Sequence, residues 1–162
     1  MTRQFQLTSS ALAQAAAILA FCLPAAAHAQ TAQPTSPAIQ QASADDAVYQ
    51  GLGGKAGIDK IVTAFLPIVL DDGRIKDSFK DVDMQRLGTK LGEQLCNLGG
   101  GPCKYTGKDM QVIHEDLRIT RAQFYALAED LQLAMERQGV PSRIQNRLMA
   151  KLAPMHRDIV TR

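Results

Sequence analysis

Histidine and cysteine are the side chains best suited to bind a metal or attack a substrate, and the sequence contains three of each. They do not occur at the C-x-x-C or H-x-x-x-H spacing of a structural zinc site. The C-x-x-C-H motif of covalent c-type haem and the G-x-S-x-G motif of many hydrolases are also absent. The triple glycine at 99–101 lacks the Gly-Lys-Ser/Thr ending of a phosphate-binding loop. The sequence therefore excludes the common motifs of zinc, nucleophilic and nucleotide chemistry.

His114 is the remaining candidate for chemistry. It lies at 111–117 in a short segment of helical character, between regions with long apolar stripes. One imidazole is sufficient to hold a haem iron from its proximal side, while apolar side chains of neighbouring helices contact the porphyrin faces. A single histidine on a helix is more often a surface or hydrogen-bonded core residue, so spacing alone leaves both interpretations open. His156, near the end of the last predicted helix, is interpreted as a surface residue.

Residues 1–29 have the pattern of a secretory signal peptide. Arg3 precedes an apolar stretch at 11–23, and an A-x-A cleavage pattern follows at 27–29. A membrane anchor is the alternative, but the stretch is shorter than the roughly 20 residues that span a bilayer. Cleavage would leave no stable membrane span and would place the protein in the periplasm or outside the cell.

Residues 30–47 predict a flexible linker, because Gln, Thr, Ser, Pro and Ala offer few large side chains to bury. The folded domain is then expected at 48–162. The formal net charge is only +2, and Lys and Arg form no run. Neither nucleic acid nor an anionic membrane surface is therefore an expected partner.

The periodicity of the apolar residues from residue 48 onward is helical, with no strand-like alternation, which predicts an all-α domain. One helix is expected at 55–70, with a bend or local break at Pro67. A second begins after Asp83, its N-cap, and ends before the triple glycine. A short third helix is expected at 108–115.

Two further helices are expected in the last third of the chain. T-R-A-Q at 120–123 has the form of a capping box that opens the first, and Gly139 closes it. The second starts at 141–142, and Pro154 should kink it.

Several motifs follow one another in a recognisable order: Y-Q-G-L-G-G at 49–54, V-L-D-D at 69–72, D-M at 83–84, G-G-P at 100–102, Y-T-G-K-D-M at 105–110, I-T at 119–120, G-V-P at 139–141 and L-A-P at 152–154. Through them, residues 48–160 resemble a group I truncated haemoglobin, a globin shortened to a two-over-two helical sandwich. The resemblance implies haem b, a non-covalent iron protoporphyrin IX, and reversible binding of oxygen, nitric oxide or carbon monoxide.

The resemblance also implies roles for individual residues. His114 follows Met110 by four residues, where the family has its proximal iron ligand. Phe79 is expected to stack on the haem, and Leu87 and Leu91 to face its distal side. The other positions expected to line the pocket are Met110, Leu117, Ile119, Phe124 and Leu131.

Polar contacts of the haem are expected at its rim, from Tyr105 and Lys90, although a solvated helix face is an equal alternative for Lys90. Family members commonly have a tyrosine on the first long helix that bonds to iron-bound oxygen. The matched residue here is Leu66, with Leu87 and Leu91 opposite it. The distal pocket is therefore expected to lack a hydrogen-bond donor, and Lys90 is the one residue that could turn inward and bind the iron itself.

Cys96 and Cys103 flank the triple glycine. In an oxidising compartment, a disulfide between them would clamp the end of the distal helix to the following loop. Two buried thiols are the alternative, because spacing does not establish the required Cα separation.

Three classes of function fit a domain of this kind. We expect a protein that reversibly binds a diatomic ligand, such as an oxygen-transport protein. The alternative is a haem enzyme that turns over nitric oxide, nitrite or peroxide, using reductant from an unidentified redox partner. A haem-based sensor or electron carrier is the third class.

Overall fold

The computed structural model describes residues 47–162. Their helices, in chain order, are α1 (Ala47–Gly51), α2 (Gly54–Asp71), α3 (Met84–Leu98), α4 (Met110–His114), α5 (Arg121–Arg137), α6 (Ser142–Leu152) and α7 (His156–Ile159), with 3-10 helices at Lys76–Phe79 and Ala153–Met155. No strand occurs in this part of the chain. The expected signal peptide, and the expected linker as far as residue 46, lie outside the described residues.

Four helices form the body of the domain, which confirms the all-α prediction. Helix α2 packs against α3 and α5, and α6 also packs against α3 and α5. The short helices α4 and α7 contact each other. None of the helices within 47–162 is both long enough and apolar enough to cross a membrane.

Helices α3 and α5 begin at the capping residues that the sequence predicts. The Asp83 side chain accepts a hydrogen bond from the Arg86 N–H, as an N-cap does. Thr120 and Gln123 form both bonds of the capping box. These caps satisfy N–H groups that a helix start otherwise leaves unpaired.

The two prolines within helices behave differently. Helix α2 continues through Pro67 without the expected local break. At Pro154 the helical path is interrupted, because α6 ends at Leu152 and a 3-10 helix precedes α7. This interruption redirects the chain before its last helical turn.

The turn after α3 is held by a disulfide between Cys96 and Cys103, whose Cα atoms are 5.7 Å apart. Asn97 Nδ2 also donates to the Cys103 carbonyl at 3.1 Å. A Cβ at Gly101 would lie 2.6 Å from Cys96 Sγ and 2.5 Å from the Tyr49 ring. Only glycine therefore fits where the loop passes the disulfide.

A charged cluster ties the end of α2 to α5. Arg74 Nε donates to the Asp72 carboxylate at 2.9 and 3.1 Å, and Arg74 Nη1 donates to Glu129 Oε2 at 2.6 Å. Asp130 is only 5% exposed, and its Oδ1 lies 3.9 Å from Arg74 Nη2. The cluster therefore links α5 to the start of the segment that leads to Phe79.

The two aspartates of this cluster have opposite pKa shifts. Hydrogen bonds from the Arg74 side chain and backbone lower the pKa of Asp72. Burial, and then the charge of Asp72, raise the pKa of Asp130. The folded protein therefore holds the Asp130 proton more tightly than the unfolded chain does.

We predict that Asp130 makes the protein less stable as the pH rises. A raised pKa contributes stability that is complete below the ordinary aspartate pKa and is lost as the pH rises through the folded value. In Asp130→Asn, this loss should disappear above pH of about 4. Urea denaturation at several pH values measures it, with the exposed Asp81→Asn as control. Parallel pH profiles for wild type and Asp130→Asn would contradict the prediction.

Candidate functional site

A cavity of about 520 Å³ opens among the helices of the domain. Its walls come from α2 to α7, from both 3-10 helices and from the loop before α4. Its size lies within the roughly 300–1,000 Å³ typical of ligand and cofactor sites. The lining is mostly apolar, and it includes Val62, Phe65, Phe79, Leu87, Leu91, Leu95, Met110, Ile113, Phe124, Leu127, Leu131, Met149, Leu152, Met155 and Ile159.

His114 is at the C-terminal end of α4 and lines this cavity. Asp109 caps the helix by accepting a hydrogen bond from the Gln111 N–H at 2.9 Å. The His114 Nδ1 lies 2.7 Å from the Met110 carbonyl oxygen, one helical turn earlier. Since a carbonyl only accepts, Nδ1 carries a proton, and in the neutral ring Nε2 therefore holds the lone pair. The imidazole is thus in the tautomer that binds a metal through Nε2.

Most of the residues expected at the pocket line the cavity together. These are Phe79, Leu87, Lys90, Leu91, Tyr105, Met110, His114, Phe124 and Leu131. They come from five separate segments, so the fold brings together what the sequence keeps far apart.

Leu117 and Ile119 do not line the cavity, so their expected pocket roles stay predictions. Leu117 is 56% exposed. The Ile119 carbonyl instead accepts hydrogen bonds from the N–H groups of Thr161 and Arg162. The reason is that α4 ends at His114 and the chain turns through Arg118, whose φ is 51°. Residues after His114 therefore do not continue the helical face on which it lies.

Leu66 is also absent from the cavity wall. It is partly buried and packs toward α3, where its Cδ1 lies 3.2 Å from the position that a Cβ on Gly88 would take. Helix α2 contributes Val62 and Phe65 to the wall instead. The expected leucine wall opposite α3 is therefore made by a valine and a phenylalanine.

The interpretation of His156 as a surface residue is wrong. Its Nε2 is buried and has no hydrogen-bond partner among the described residues. The ring lies edge-on to Phe124 at 5.2 Å and is stacked on Tyr125 at 6.0 Å. The Pro154 interruption turns His156 inward, which the helical spacing could not indicate.

An ion pair lies at the rim of the cavity. Lys90 Nζ donates to the two Glu93 oxygens at 2.9 and 3.0 Å and also to the Thr106 hydroxyl. Glu93 Oε2 accepts further bonds from the Thr106 N–H at 2.9 Å and hydroxyl at 2.7 Å. The hydrogen bond from Lys90, followed by those from Thr106, lowers the pKa of Glu93 to about 2. Glu93 is therefore a carboxylate at any physiological pH.

Tyr105 lies next to this pair on the cavity wall. Its hydroxyl donates to the Lys108 carbonyl at 3.1 Å. Burial, and then the charges of Glu93 and Asp109, raise the pKa of Tyr105. The phenol therefore stays protonated and polar at the rim.

Gln94 is a pocket residue that the sequence did not indicate. Its Nε2 lies 3.6 Å from Met110 Sδ and 3.4 Å from Met155 Sδ. A glutamine on a helix has no pattern that separates a cavity residue from a surface residue. The contact to Met155 spans 61 residues of sequence, so only the fold reveals it.

Residues 47–161 match the family model described as bacterial-like globin. The chain belongs to the bacterial-like globin family. This globin is 32% identical to the group 1 truncated haemoglobin of Mycolicibacterium paratuberculosis, over 70% of this chain and 84% of the relative. It is 35% identical to that of Synechocystis sp., over 70% of this chain and 96% of the relative.

The solved structures give the same relationship. Truncated haemoglobin from Tetrahymena pyriformis in its Fe(III) form is 29% identical to this globin, with a TM-score of 0.69. The match covers 71% of this chain and 98% of that chain. The expected two-over-two truncated globin fold is confirmed.

Proposed function

We propose that this truncated globin binds haem b through His114 Nε2 and reversibly binds a diatomic ligand on the opposite side of the iron. The observation that carries the proposal is the His114 imidazole, whose Nδ1 is held by the Met110 carbonyl at 2.7 Å inside a large apolar cavity. The size of the cavity, its apolar walls and the His114 Nε2 atom as an iron ligand all fit haem b. The haemoglobins among its relatives support the same cofactor and ligand class.

The bound haem would supply the iron at which the ligand coordinates. The protein's part is to hold and surround it. His114 would bind from α4, and Phe79 and Phe124 would provide aromatic contact surface. Lys90, which is held by Glu93, and Tyr105 lie at the rim, where the propionates of the haem would face solvent.

The character of the α3 wall favours ligand binding over turnover. This helix presents Leu87 and Leu91 to the cavity, and its cationic residue there, Lys90, is paired with Glu93. The amide of Gln94, on the same helix, is turned toward the sulfur atoms of Met110 and Met155. General acid–base catalysis needs a group that is free to exchange a proton with the bound ligand. An apolar wall beside a closed ion pair is better suited to admitting and releasing a neutral diatomic molecule.

The first prediction concerns iron ligation. His114→Gly should lose haem, because it removes the metal-binding nitrogen while leaving the apolar walls intact. Added imidazole should restore binding by occupying the vacated space. Haem titration followed by absorption spectroscopy measures both effects, and His156→Phe is the control because it keeps an aromatic ring against Phe124. A His114→Gly protein with the wild-type ferrous spectrum and no imidazole would disprove the assignment.

The second prediction concerns the ligand side. Leu87→Gln introduces an amide donor on the α3 wall. One net hydrogen bond of about 0.5–1.5 kcal/mol should slow oxygen dissociation roughly two- to tenfold. Carbon monoxide, a poorer acceptor, should respond less. Stopped-flow dissociation rates give the comparison, with exposed Leu70→Gln as control, and unchanged oxygen release in Leu87→Gln would count against an apolar ligand site.

We further propose that the protein is exported and acts in the periplasm or outside the cell. The signal-peptide pattern at 1–29 supports export. The Cys96–Cys103 disulfide supports it independently, since such bonds persist in oxidising compartments.

Intact mass spectrometry of the protein from its native host tests the export proposal. The mature chain should begin near Gln30 and lack the hydrogens of two thiols. In the chain-entropy model, reducing the bridge should cost about 2 to 3 kcal/mol of stability. A protein that retains Arg3 and has three alkylatable thiols, that of Cys22 included, would refute export.

A further inference from the structure

The ion pair at the cavity rim holds a potential iron ligand away from the cavity. Lys90 is on the α3 wall and lines the cavity, yet its Nζ bonds both oxygens of Glu93 and the hydroxyl of Thr106. An ammonium has three protons, and these partners engage the nitrogen fully. The lysine therefore has no unsatisfied donor that would draw it inward.

Coordination by Lys90 would require two changes. The nitrogen would leave its partners and give one proton to solvent, so that its lone pair could bind the iron. Glu93 opposes the departure of the ammonium, because its carboxylate attracts the positive charge and accepts its hydrogen bonds. The side chains of Lys90 and Glu93 are only 29% and 24% exposed, so water screens their attraction incompletely.

The loop that carries Thr106 is itself held in place. Thr106 follows Cys103 in the loop that the disulfide ties to α3, and Thr106 donates to Glu93 through both its backbone and its side chain. Glu93 is thus fixed from two directions, by its own helix and by this loop. It is a preorganised acceptor rather than a mobile surface carboxylate.

We propose that Glu93 is a positioning residue that keeps Lys90 at the rim, and thereby leaves the ligand side of the iron open to diatomic molecules. This inference rests on the proposed haem binding at His114. The charged groups around Lys90 come from several elements. Helix α3 contributes Glu93, and α5 contributes Glu129 to the cavity wall. The loop before α4 contributes the neutral Thr106 and Tyr105, and Asp109 at its end.

Glu93→Gln in the haem-loaded protein tests the proposal. The amide keeps the size of the side chain but removes the charge that holds Lys90. In the ferric protein at neutral pH, Glu93→Gln should show a six-coordinate, low-spin fraction that wild type lacks. If lysine then occupies the iron in about nine of ten molecules, carbon monoxide should bind the ferrous protein about tenfold more slowly.

Three further variants make the test specific. Glu93→Gln combined with Lys90→Met should restore the open, five-coordinate spectrum. Thr106→Val removes one Lys90 partner while retaining Glu93, so it should produce a smaller six-coordinate fraction than Glu93→Gln. The exposed Glu136→Gln is the matched control and should behave as wild type.

The outcomes separate this proposal from the one on which it rests. If Glu93→Gln binds haem and keeps the wild-type ferric spectrum at neutral pH, the role of Glu93 is disproved while haem binding stands. A wild-type protein already ligated by Lys90 at neutral pH would also disprove it. Failure of wild type to bind haem, or independence of binding from His114, would instead overturn the proposed function.

Discussion

The hydrogen bond between the His114 imidazole and the Met110 carbonyl sets the geometry on which the rest of the site depends. It fixes both the tautomer and the direction of the ring, so that the other nitrogen can bind a metal. It exists because Asp109 caps a helix of only five residues, in which Met110 and His114 are one turn apart. The surrounding helices supply a cavity, but this short segment decides where an iron would be held.

Local patterns predicted the elements well, whereas the walls of the cavity depended on contacts between distant segments. Asp83, Thr120 and Gln123 could be assigned as caps because capping chemistry is complete within a few residues. The position of Leu117 outside the cavity wall could not be predicted, because nothing in the local periodicity shows the turn at Arg118. In each case, the range of the deciding interaction set the limit of the prediction.

The difference between local and long-range contacts also explains why Leu66 in α2 and His156 in α7 were wrongly placed. Helical spacing indicates which side of α2 is apolar, but neighbouring residues such as Phe65 and Leu66 can face different partners within that side. His156 was misassigned because its environment, Phe124 and Tyr125, is separated from it by more than a helix. The family resemblance identified His114, yet Glu93 and Gln94 emerged only from the packed structure.

The interruption at Pro154 has a consequence for the order in which the site can be assembled. Met155 and Ile159, which follow it, line the same cavity as Val62. Walls that are almost a hundred residues apart must meet before the cavity is closed, and contacts of such long separation form slowly and late. During synthesis from the N-terminus, His114 is therefore made well before the pocket around it is complete. The cofactor can be fully enclosed only when the segment beyond Pro154 has been added. Its enclosure is therefore a late step in synthesis and folding.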